Sequence, residues 1–425
     1  MGIHLAQKDF EVETLGPCAY PSPLPNVLDE LADPNLVIFQ NQLRQDEKLE
    51  ADQVLTFEKA HVSKMIYFNP TQINVGIVTC GGLCPGLNDV IRSITYCCKR
   101  VYKVKNVYGF KHGFKGLTAQ GCHDFIVLDD TTVDGIHETG GTILSSSRGK
   151  QDIKDMVDTL VKFNISILFV IGGDGTQKGT QKIAEEIRAR KLQIAAIGIP
   201  KTIDNDISFV QRTFGFYTAV EEARRAISAA HVEAKGTQNG IGIVKLMGRH
   251  SGFIAGHATL SSGNVNICLV PEVPFALSTL FEKVKNRLLK KDHLVIVVAE
   301  GAGQEFLVNS GDEKDASGNI RLKDIGIFLR TEIEKYLVAE KIPHSIKYID
   351  PSYMIRSTPA CAADSSFCLQ LGNYAVHAGM AGKTNLIIGH WNQHFTLTPI
   401  QLAVSQKKMV DPKSAFWRSI EEITL

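Results

Sequence analysis

From Ile73 onward, short Val/Ile-rich runs alternate with stretches of helical periodicity. This alternation is typical of βαβ units, in which helices connect parallel strands and cover both faces of a sheet. The predicted strands are INVGIVTC, ISILFVIG, IAAIGI, IGIVKLM, NICLVP and HLVIVVAEG. The predicted helices are 87–100, 153–163, 177–191, 216–231, 251–261, 277–290, 324–340 and 363–380. NLIIGHWNQHFTLTPI predicts a hairpin around Asn392 and Gln393.

We therefore predict an α/β fold with two Rossmann-like three-layer αβα domains, mostly parallel sheets and an N-terminal extension. The length of 425 residues favours two domains, since single cores seldom exceed about 250–300 residues. Residues 1–70 are proline-bearing, charged and weakly periodic, and predict an arm with only short turns. The first domain is predicted over 71–208 and about 361–386, the second over 209–360 and about 387–411, and a C-terminal tail over 412–425.

Composition excludes several classes of partner. Forty-six Lys and Arg balance 45 Asp and Glu, so neither nucleic acid nor an anionic membrane is an expected partner. The nine cysteines lack the paired spacing of a zinc site and are expected to be reduced. No apolar run reaches about 18 residues and no signal region opens the chain, which predicts a cytoplasmic protein.

The segment AIGIPKTIDNDISF turns from an apolar strand into Lys201, Thr202, Asp204 and Asp206. Pro, Asn and Asp form turns, so a turn alone would account for many such triplets. Open parallel sheets, however, bind ligands just beyond the carboxyl ends of their strands. In an extended segment Asp204 and Asp206 would project to the same side. We interpret Asp204 as a base for an acceptor hydroxyl.

Three glycine-rich turns have the residues needed to hold phosphates. In TCGGLCPGLNDV the backbone can approach an anion beside a helix start, although the Lys and Ser/Thr of a Walker motif are missing. VIGGDGTQKG places Asp174 between glycines, where it is suited to Mg²⁺, although this motif alone also fits a nicotinamide-dinucleotide kinase or a diacylglycerol kinase. GGTILSSSRGKQD supplies Arg148. Together these turns predict a phosphoryl-transfer site.

Seven motifs follow in order: GGLCPGLN, GGTILSSSRG, GGDGT, PKTIDND, KLMGRHSGF, VVAEG and KYIDPSYMIR. Together they closely resemble the 6-phosphofructokinase family, especially its long ATP-using group from protists, trypanosomatids and plants. The match covers about residues 70 to 420. It implies an allosteric glycolytic enzyme with an ATP-binding first domain, a fructose 6-phosphate-binding second domain, and Mg²⁺ with ATP as phosphoryl donor.

The resemblance also implies roles for single residues. Asp204 would be the catalytic base, with Thr202 at the transferring group and Asp206 as the second acid of the loop. Lys201 would lie beside the migrating charge. The implied nucleotide site is Gly82, Arg148, Gly149, Gly173, Asp174, Gly175 and Thr176, with Asp174 on the metal. The implied sugar-phosphate site is Thr202, Ile203, Asp204, Met247, Gly248, Arg249, Glu300, Lys347, Tyr353, Met354, Ile355 and Arg356.

Some positions depart from the bacterial pattern. Gly240 occupies the place of a bacterial arginine, and Tyr353 that of a histidine. Lys347 falls where bacterial members place an arginine that reaches in from a neighbouring subunit. The resemblance accordingly implies a homotetramer or homodimer with sites shared between subunits.

Two residues point to different phosphoryl donors. Lys201 resembles the pyrophosphate users of the family, whereas Gly175 resembles the ATP users. An aspartate at 175 would place a carboxylate where the α-phosphate of ATP must lie, whereas a lysine at 201 helps either donor. We therefore favour ATP, and a pyrophosphate-dependent enzyme stays the alternative. A catalytically silent regulatory paralogue is disfavoured, because Asp174 and Asp204 are both present.

Overall fold

The computed structural model describes residues 5–24, 36–40, 54–307 and 321–424. They form two compact units. Unit 1 contains the described residues within 1–202, 207–215 and 358–407, and unit 2 those within 203–206, 216–357 and 408–425. The segment that carries Thr202 and Asp204 thus changes units between these two residues.

The bounds of the strands are β1 (Glu13–Thr14), β2 (Tyr20–Pro21), β3 (Leu36–Ile38), β4 (Thr56–Lys59), β5 (Met65–Ile66), β6 (Asn74–Thr79), β7 (Asn106–Phe110), β8 (Phe125–Val127), β9 (Ile165–Gly172), β10 (Ala195–Pro200), β11 (Gly240–Leu246), β12 (Ile267–Leu269), β13 (His293–Ala299), β14 (Ser345–Ile349), β15 (Lys383–Thr384), β16 (Leu386–Trp391) and β17 (His394–Pro399).

The bounds of the helices are α1 (Leu87–Tyr96), α2 (Ile153–Lys162), α3 (Asp174–Ala189), α4 (Phe216–Lys235), α5 (Phe253–Ser262), α6 (Leu277–Lys290), α7 (Ile325–Ala339), α8 (Ser352–Ser357), α9 (Ala362–Met380), α10 (Ile400–Ala403) and α11 (Ala415–Ile423). A π-helical turn over Cys97–Val101 extends α1. The predicted helices are found, and α3 begins at Asp174 rather than at residue 177.

Unit 1 contains a nine-stranded sheet in the order β3-β4-β17-β16-β10-β9-β6-β7-β8. The five central strands, from β16 to β7, are parallel to one another, and antiparallel strands occupy both edges. Leu168 and Val170 on one face of β9 pack with α2 and α3. Ile167 on the other face lies against Gly379 of α9. Helices on both faces give the predicted αβα layers.

The N-terminal region contributes more than the predicted arm. β4 pairs with β17, and β3 pairs with β4, so the region adds two strands to the large sheet. Phe10, Phe57 and Phe209 come from three separate parts of the chain and form an aromatic cluster in unit 1. Their large rings bury much apolar surface where these parts meet. Residues 25–35 and 41–53, which were also assigned to the arm, lie outside the described residues.

The predicted hairpin is confirmed, since β16 and β17 pair antiparallel around Asn392 and Gln393, both with positive φ. The predicted domain boundary beyond it was wrong: residues 387–407 belong to unit 1 and not to the second domain. The reason is that Leu386 and Ile387 of β16 pair with β10, which makes the hairpin part of the first sheet.

Unit 2 contains a four-stranded parallel sheet in the order β12-β13-β11-β14. Its apolar face packs on α6 and α7 through residues such as Ile243, Ile296, Val284 and Leu329. α4 covers the other face, where Gly242 lets the backbone of Ala230 approach.

The C-terminal segment is not a simple tail. Residues 415–423 form α11, whose Trp417 and Ile420 are buried in unit 2. A Cβ on Gly256 of α5 would lie 2.7 Å from the ring of Phe416, so α11 packs closely on α5. Among the helices of the described ranges, none combines the length and the apolar character needed to cross a bilayer.

Candidate active site

Unit 1 brings two of the predicted phosphate-binding turns together with the segment that begins at Lys201. β6, β9 and β10 are parallel neighbours, with Thr79 opposite Ile171 and Gly172 opposite Pro200. Their carboxyl ends therefore lie at the same edge of the sheet, where ligands of open parallel sheets bind. The turns after these strands contain Gly82, Gly173 and Lys201 respectively.

Two cations approach the first turn. Nζ of Lys201 donates a hydrogen bond to the carbonyl oxygen of Gly82 at 2.7 Å, and Lys201 is only 7% exposed. A Cβ on Gly82 would lie 3.3 Å from a guanidinium nitrogen of Arg148. The backbone N–H of Gly81 donates to the carbonyl of Ser147 at 3.1 Å, which fixes the Arg148 loop beside this turn. Gly149 follows with φ +102° and an exposed backbone.

The second turn is the start of α3. Gly173 is its N-cap, so the first backbone N–H groups of α3 and the positive end of its dipole point toward this turn. A Cβ on Gly175 would meet no atom within 4 Å. The space beside Gly175 is therefore open, and a larger side chain at position 175 would fill it. Thr176 lies one residue further along α3.

Asp174 is the predicted metal ligand, and its carboxylate lies 2.9 Å from Nζ of Lys178. The described residues contain no group of three or more His, Cys, Asp or Glu side chains placed to hold a metal. Mg²⁺ bound to phosphates commonly uses one or two protein carboxylates and fills its other positions with water and phosphate oxygens. A single partly exposed carboxylate at the start of a helix fits this mode of binding.

The loop after β10 differs from the sequence expectation in one respect. Asn205 has φ +55°, so the segment between Asp204 and Asp206 is not extended. The prediction that the two side chains project to the same side assumed an extended segment, which this loop does not have. Asn is among the residues that adopt the left-handed region most readily, which makes this sharp turn possible. The turn nevertheless keeps the Asp206 carboxylate close enough to repel that of Asp204.

Asp204 is the most strongly perturbed acid of the predicted site. Burial raises its pKa to about 7, and repulsion from the carboxylates of Asp206 and Glu300 acts in the same direction. The guanidinium of Arg356 and the backbone N–H of Arg249 oppose this increase. A carboxyl group whose pKa lies near neutral pH is well matched to general base catalysis.

The strand ends of unit 2 explain why these groups meet. β11 and β13 pair in parallel, and the backbone N–H of Glu300 donates to the carbonyl of Leu246 at 2.8 Å. Glu300 therefore lies beside Gly248 and Arg249. Gly248 has φ +126°, and a Cβ there would lie 2.4 Å from the carbonyl oxygen of Ser251, so only glycine fits this turn.

The YMIR motif forms most of the short helix α8. Nε of Arg356 donates to Sδ of Met247 at 3.2 Å, which ties α8 to the end of β11. Ile355 is fully buried and anchors the helix, whereas Tyr353 and Met354 are 84% and 71% exposed. A ligand contact by Ile355 would therefore have to use its backbone. Ile203 and Met247 are likewise buried.

The structure also shows the surroundings of Lys347 and Gly240. Lys347 is exposed in the middle of β14, an edge strand, rather than at the carboxyl end of a strand. Gly240 begins β11, and a Cβ there would lie 2.0 Å from the carbonyl oxygen of Ala234. The backbone of α4 thus excludes any side chain where bacterial members have an arginine.

Lys408 was not identified from the sequence, because it lies about 200 residues after the loop it approaches. Its backbone N–H donates to the carbonyl of Asp206 at 3.0 Å, and its ammonium lies over the ring of Phe253 at 5.4 Å. Burial lowers the pKa of Lys408 to about 7, opposed by the carboxylate of Asp206. The pattern KKMVDPKS offers no signal for this contact beyond its charge.

Comparison with known proteins shows which family this chain resembles. A family model described as Phosphofructokinase matches residues 74–379. A protein from Borreliella burgdorferi named ATP-dependent 6-phosphofructokinase is 46% identical over 97% of this chain and 95% of its own length. One of the same name from Trypanosoma brucei brucei is 46% identical over 99% of this chain and 88% of its own length.

Solved structures share the fold. A pyrophosphate-dependent phosphofructokinase from Marinobacter aquaeolei matches with a TM-score of 0.70 at 20% identity, over 83% of this chain and 91% of its own. Pichia pastoris phosphofructokinase in the T-state matches with a TM-score of 0.65 at 22% identity, over 83% of this chain and 37% of its own. Since the family model spans more than half of the sequence and the named relatives align along nearly all of it, the chain belongs to the phosphofructokinase family.

Proposed function

We propose that the chain is an ATP-dependent 6-phosphofructokinase, which transfers the γ-phosphoryl group of Mg-ATP to the C1 hydroxyl of fructose 6-phosphate and releases fructose 1,6-bisphosphate and ADP. Asp204 carries the proposal, because its pKa is raised to about 7 and the groups acting on it include Glu300 and Arg356 of unit 2. Two relatives named for this activity, each 46% identical, support ATP as the donor.

The reaction needs a base, an acceptor and stabilisation of charge. Asp204 accepts the proton of the C1 hydroxyl as the hydroxyl oxygen forms its bond to the γ-phosphorus. The bond from that phosphorus to the bridging oxygen breaks, and the electron pair leaves on ADP. Glu300 holds sugar hydroxyls. Arg249 and Arg356 neutralise the 6-phosphate through charge-assisted hydrogen bonds.

Unit 1 supplies the groups for the phosphoryl donor. The backbone at Gly82 and at Gly173 approaches the phosphates, and Arg148 forks onto their oxygens. Lys201, beside Gly82, compensates the charge that develops on the migrating group. Mg²⁺, held by Asp174 when bound, supplies further neutralisation of phosphate charge.

A pyrophosphate-dependent enzyme is the second candidate, and Lys201 is the residue that favours it. Gly175 argues for ATP, since the space beside it is open. The test is a coupled assay for fructose 1,6-bisphosphate with purified protein, Mg²⁺ and either donor. Turnover with ATP and little with pyrophosphate is expected. Turnover with pyrophosphate alone would contradict the proposal.

We also propose a homotetramer or homodimer in the reducing cytoplasm. The nine cysteines are free thiols, which supports a reducing compartment. Lys347 is exposed on an edge strand, where it could contribute to a site on another copy. Light scattering of the purified protein, with Lys347→Glu as the variant, tests the assembly; a monomeric, fully active wild type would contradict it.

A further inference from the structure

Lys245 is a partly buried cation that lies close in the chain to the predicted sugar-phosphate residues and that the reaction does not use directly. It lies in β11, two residues before Met247, and its side chain is 13% exposed. Nζ of Lys245 lies 2.7 Å from Oδ2 of Asp324 and 2.8 Å from Oδ2 of Asp350. Burial opposes its charge, yet hydrogen bonds to both carboxylates outweigh burial and raise its pKa.

The contact with Asp324 is structural. Oδ1 of Asp324 caps α7 by accepting from the backbone N–H of Ile327 at 3.0 Å, and the hydroxyl of Tyr348 donates to Asp324 at 2.9 Å. A Cβ on Gly326 would lie 2.2 Å from the ring of Tyr348, so α7 packs tightly on β14 here. The contact between Lys245 and Asp324 therefore belongs to the packing of α7 on β14 in unit 2.

The contact with Asp350 leads to α8. The two carboxylate oxygens of Asp350 have different partners. Oδ2 faces Lys245, and Oδ1 accepts hydrogen bonds from the backbone N–H of Ser352 at 3.1 Å and from the hydroxyl of Ser352. Ser352 is the first residue of α8, which carries Tyr353 and Arg356. The position of Asp350 therefore determines where this short helix begins.

β11 thus holds α8 at two points. Lys245 holds its start through Asp350, and Met247 contacts Arg356 at its last turn. We propose that Lys245 is a positioning residue for the phosphate of the sugar substrate, and that its ion pair with Asp350 fixes the guanidinium of Arg356 for that phosphate. This inference rests on the proposed function, in which Arg356 binds the 6-phosphate.

Because the side chain of Asp350 is 30% exposed, its ion pair with Lys245 is expected to contribute little to stability, and its role is expected in the geometry of α8. Small displacements of positioning groups have large kinetic effects. Loss of the Lys245–Asp350 pair should therefore weaken binding of the sugar phosphate while it leaves the nucleotide residues of unit 1 unaffected.

The experiment measures steady-state kinetics and the calorimetric Kd for fructose 6-phosphate in four variants of the full chain and one control variant. Lys245→Met and Asp350→Asn remove the pair, Asp324→Asn removes only the structural contact, and Lys245→Arg restores the charge. Lys285→Met is the matched control, since it breaks another lysine–carboxylate pair of unit 2, at 2.6 Å from Glu340.

Lys245→Met and Asp350→Asn should raise KM and Kd for fructose 6-phosphate by about tenfold or more, with kcat and the KM for ATP within about threefold. Asp324→Asn should lower the unfolding temperature with little change in KM, Lys245→Arg should recover most of the affinity, and Lys285→Met should change neither.

Unchanged KM in both Lys245→Met and Asp350→Asn, with normal wild-type activity, would overturn the positioning role alone. A rise of the KM values for fructose 6-phosphate and for ATP by one common factor would also overturn the positioning role, because general damage to the fold would have this effect. A wild type that neither binds nor phosphorylates fructose 6-phosphate would overturn the proposed function and the inference with it.

Discussion

Nζ of Lys201 lies 2.7 Å from the carbonyl oxygen of Gly82, so the turn after β10 is joined to the turn after β6. The two residues are 119 positions apart in the sequence and become neighbours because β6, β9 and β10 lie side by side in one sheet. The contact holds a buried cation at the edge of the sheet where the phosphoryl donor is proposed to bind.

Replacing Lys201 by methionine tests this cation. Lys201→Met should lower kcat by about 10²–10³-fold, because a preorganised charge beside the migrating phosphoryl group is lost. The KM for fructose 6-phosphate should change little. Lys335→Met, at a lysine whose side chain is 68% exposed in unit 2, is the control and should behave as wild type. A Lys201→Met enzyme with wild-type kcat would contradict the role.

Asp204→Asn tests the base. The variant should fold and lose about 10²–10⁴-fold in kcat, since an amide cannot accept the hydroxyl proton. It should also be more stable than wild type at high pH. The folded-state pKa of Asp204 is raised to about 7 from about 3.9 unfolded, so the carboxyl progressively weakens the wild-type fold as pH rises between these values.

The stability advantage of Asp204→Asn should therefore be absent below pH 4, grow as pH rises to about 7, and then level off at a gain of roughly 4 kcal/mol in the free energy of unfolding, since each of the about three pKa units corresponds to about 1.4 kcal/mol. Urea denaturation at pH 4.5, 6 and 8 measures it. Near-normal turnover would remove Asp204 as the base, and a pH-independent difference in stability would contradict its raised pKa.

The pH dependence of kcat/KM should rise through an acidic limb near pH 7, because Asp204 must be ionised to accept a proton. Lys408, whose pKa is also about 7, is a partly charged cation beside Asp206 at this pH, and Lys408→Met should raise the pKa of Asp204 modestly and move this limb to higher pH. Lys408→Arg stays fully charged and should place the limb at or below the wild-type position. Since ionisation of the substrate phosphate is the same for every variant, a limb that does not move between them would contradict this coupling.

Gly175→Asp should abolish turnover with ATP and leave the fold intact. The Cβ meets nothing within 4 Å, and an acid in the first turn of α3 interacts favourably with the helix dipole, by about 0.3–1 kcal/mol. Gly175→Asn, which is similar in size but uncharged, separates steric conflict from charge repulsion and should retain more activity. Turnover with ATP at the wild-type rate in Gly175→Asp would refute the α-phosphate argument.

Gly240→Ala should destabilise the protein, because the new Cβ would lie 2.0 Å from the carbonyl oxygen of Ala234 and the backbone would have to move. A loss of about 1–3 kcal/mol is expected from overpacking of this kind. Gly175→Ala, where the space is open, is the matched control and should cost much less. Equal stability of both variants, measured by thermal unfolding, would show that Gly240 is not required by packing.

Much of the fold was predictable from local pattern. The Val/Ile runs marked β6, β9, β10, β11 and β13, because strands buried on both faces are apolar along their whole length. The hairpin at Asn392 and Gln393 was predictable for a related reason, since a polar pair between alternating apolar runs marks a tight turn.

The errors arose where pairing partners lie far apart in sequence. The three residues of β3 are apolar but too few to mark a strand, and Phe57 is the one apolar residue of β4. They become strands of the large sheet because β4 pairs with β17 and β3 pairs with β4. α11 is short, and its Phe416 and Ile420 meet Gly256 of α5 only when the chain is folded. β14 was missed because Lys347 interrupts its apolar pattern at an exposed edge position.

The sequence by itself determined which residues can do the chemistry: a carboxylate at Asp204, cations at Lys201, Arg249 and Arg356, and an open glycine at 175. These depend on residue type and on position after a strand, both of which are local properties. Tertiary structure decided the proton affinity of Asp204, because its pKa depends on burial and on Glu300, Arg356 and Arg249, which come from two other strand ends and from α8. Tertiary structure also places Lys408 beside Asp206 and pairs Lys245 with Asp350 at the start of α8, since only folding brings residues so distant in the sequence into contact.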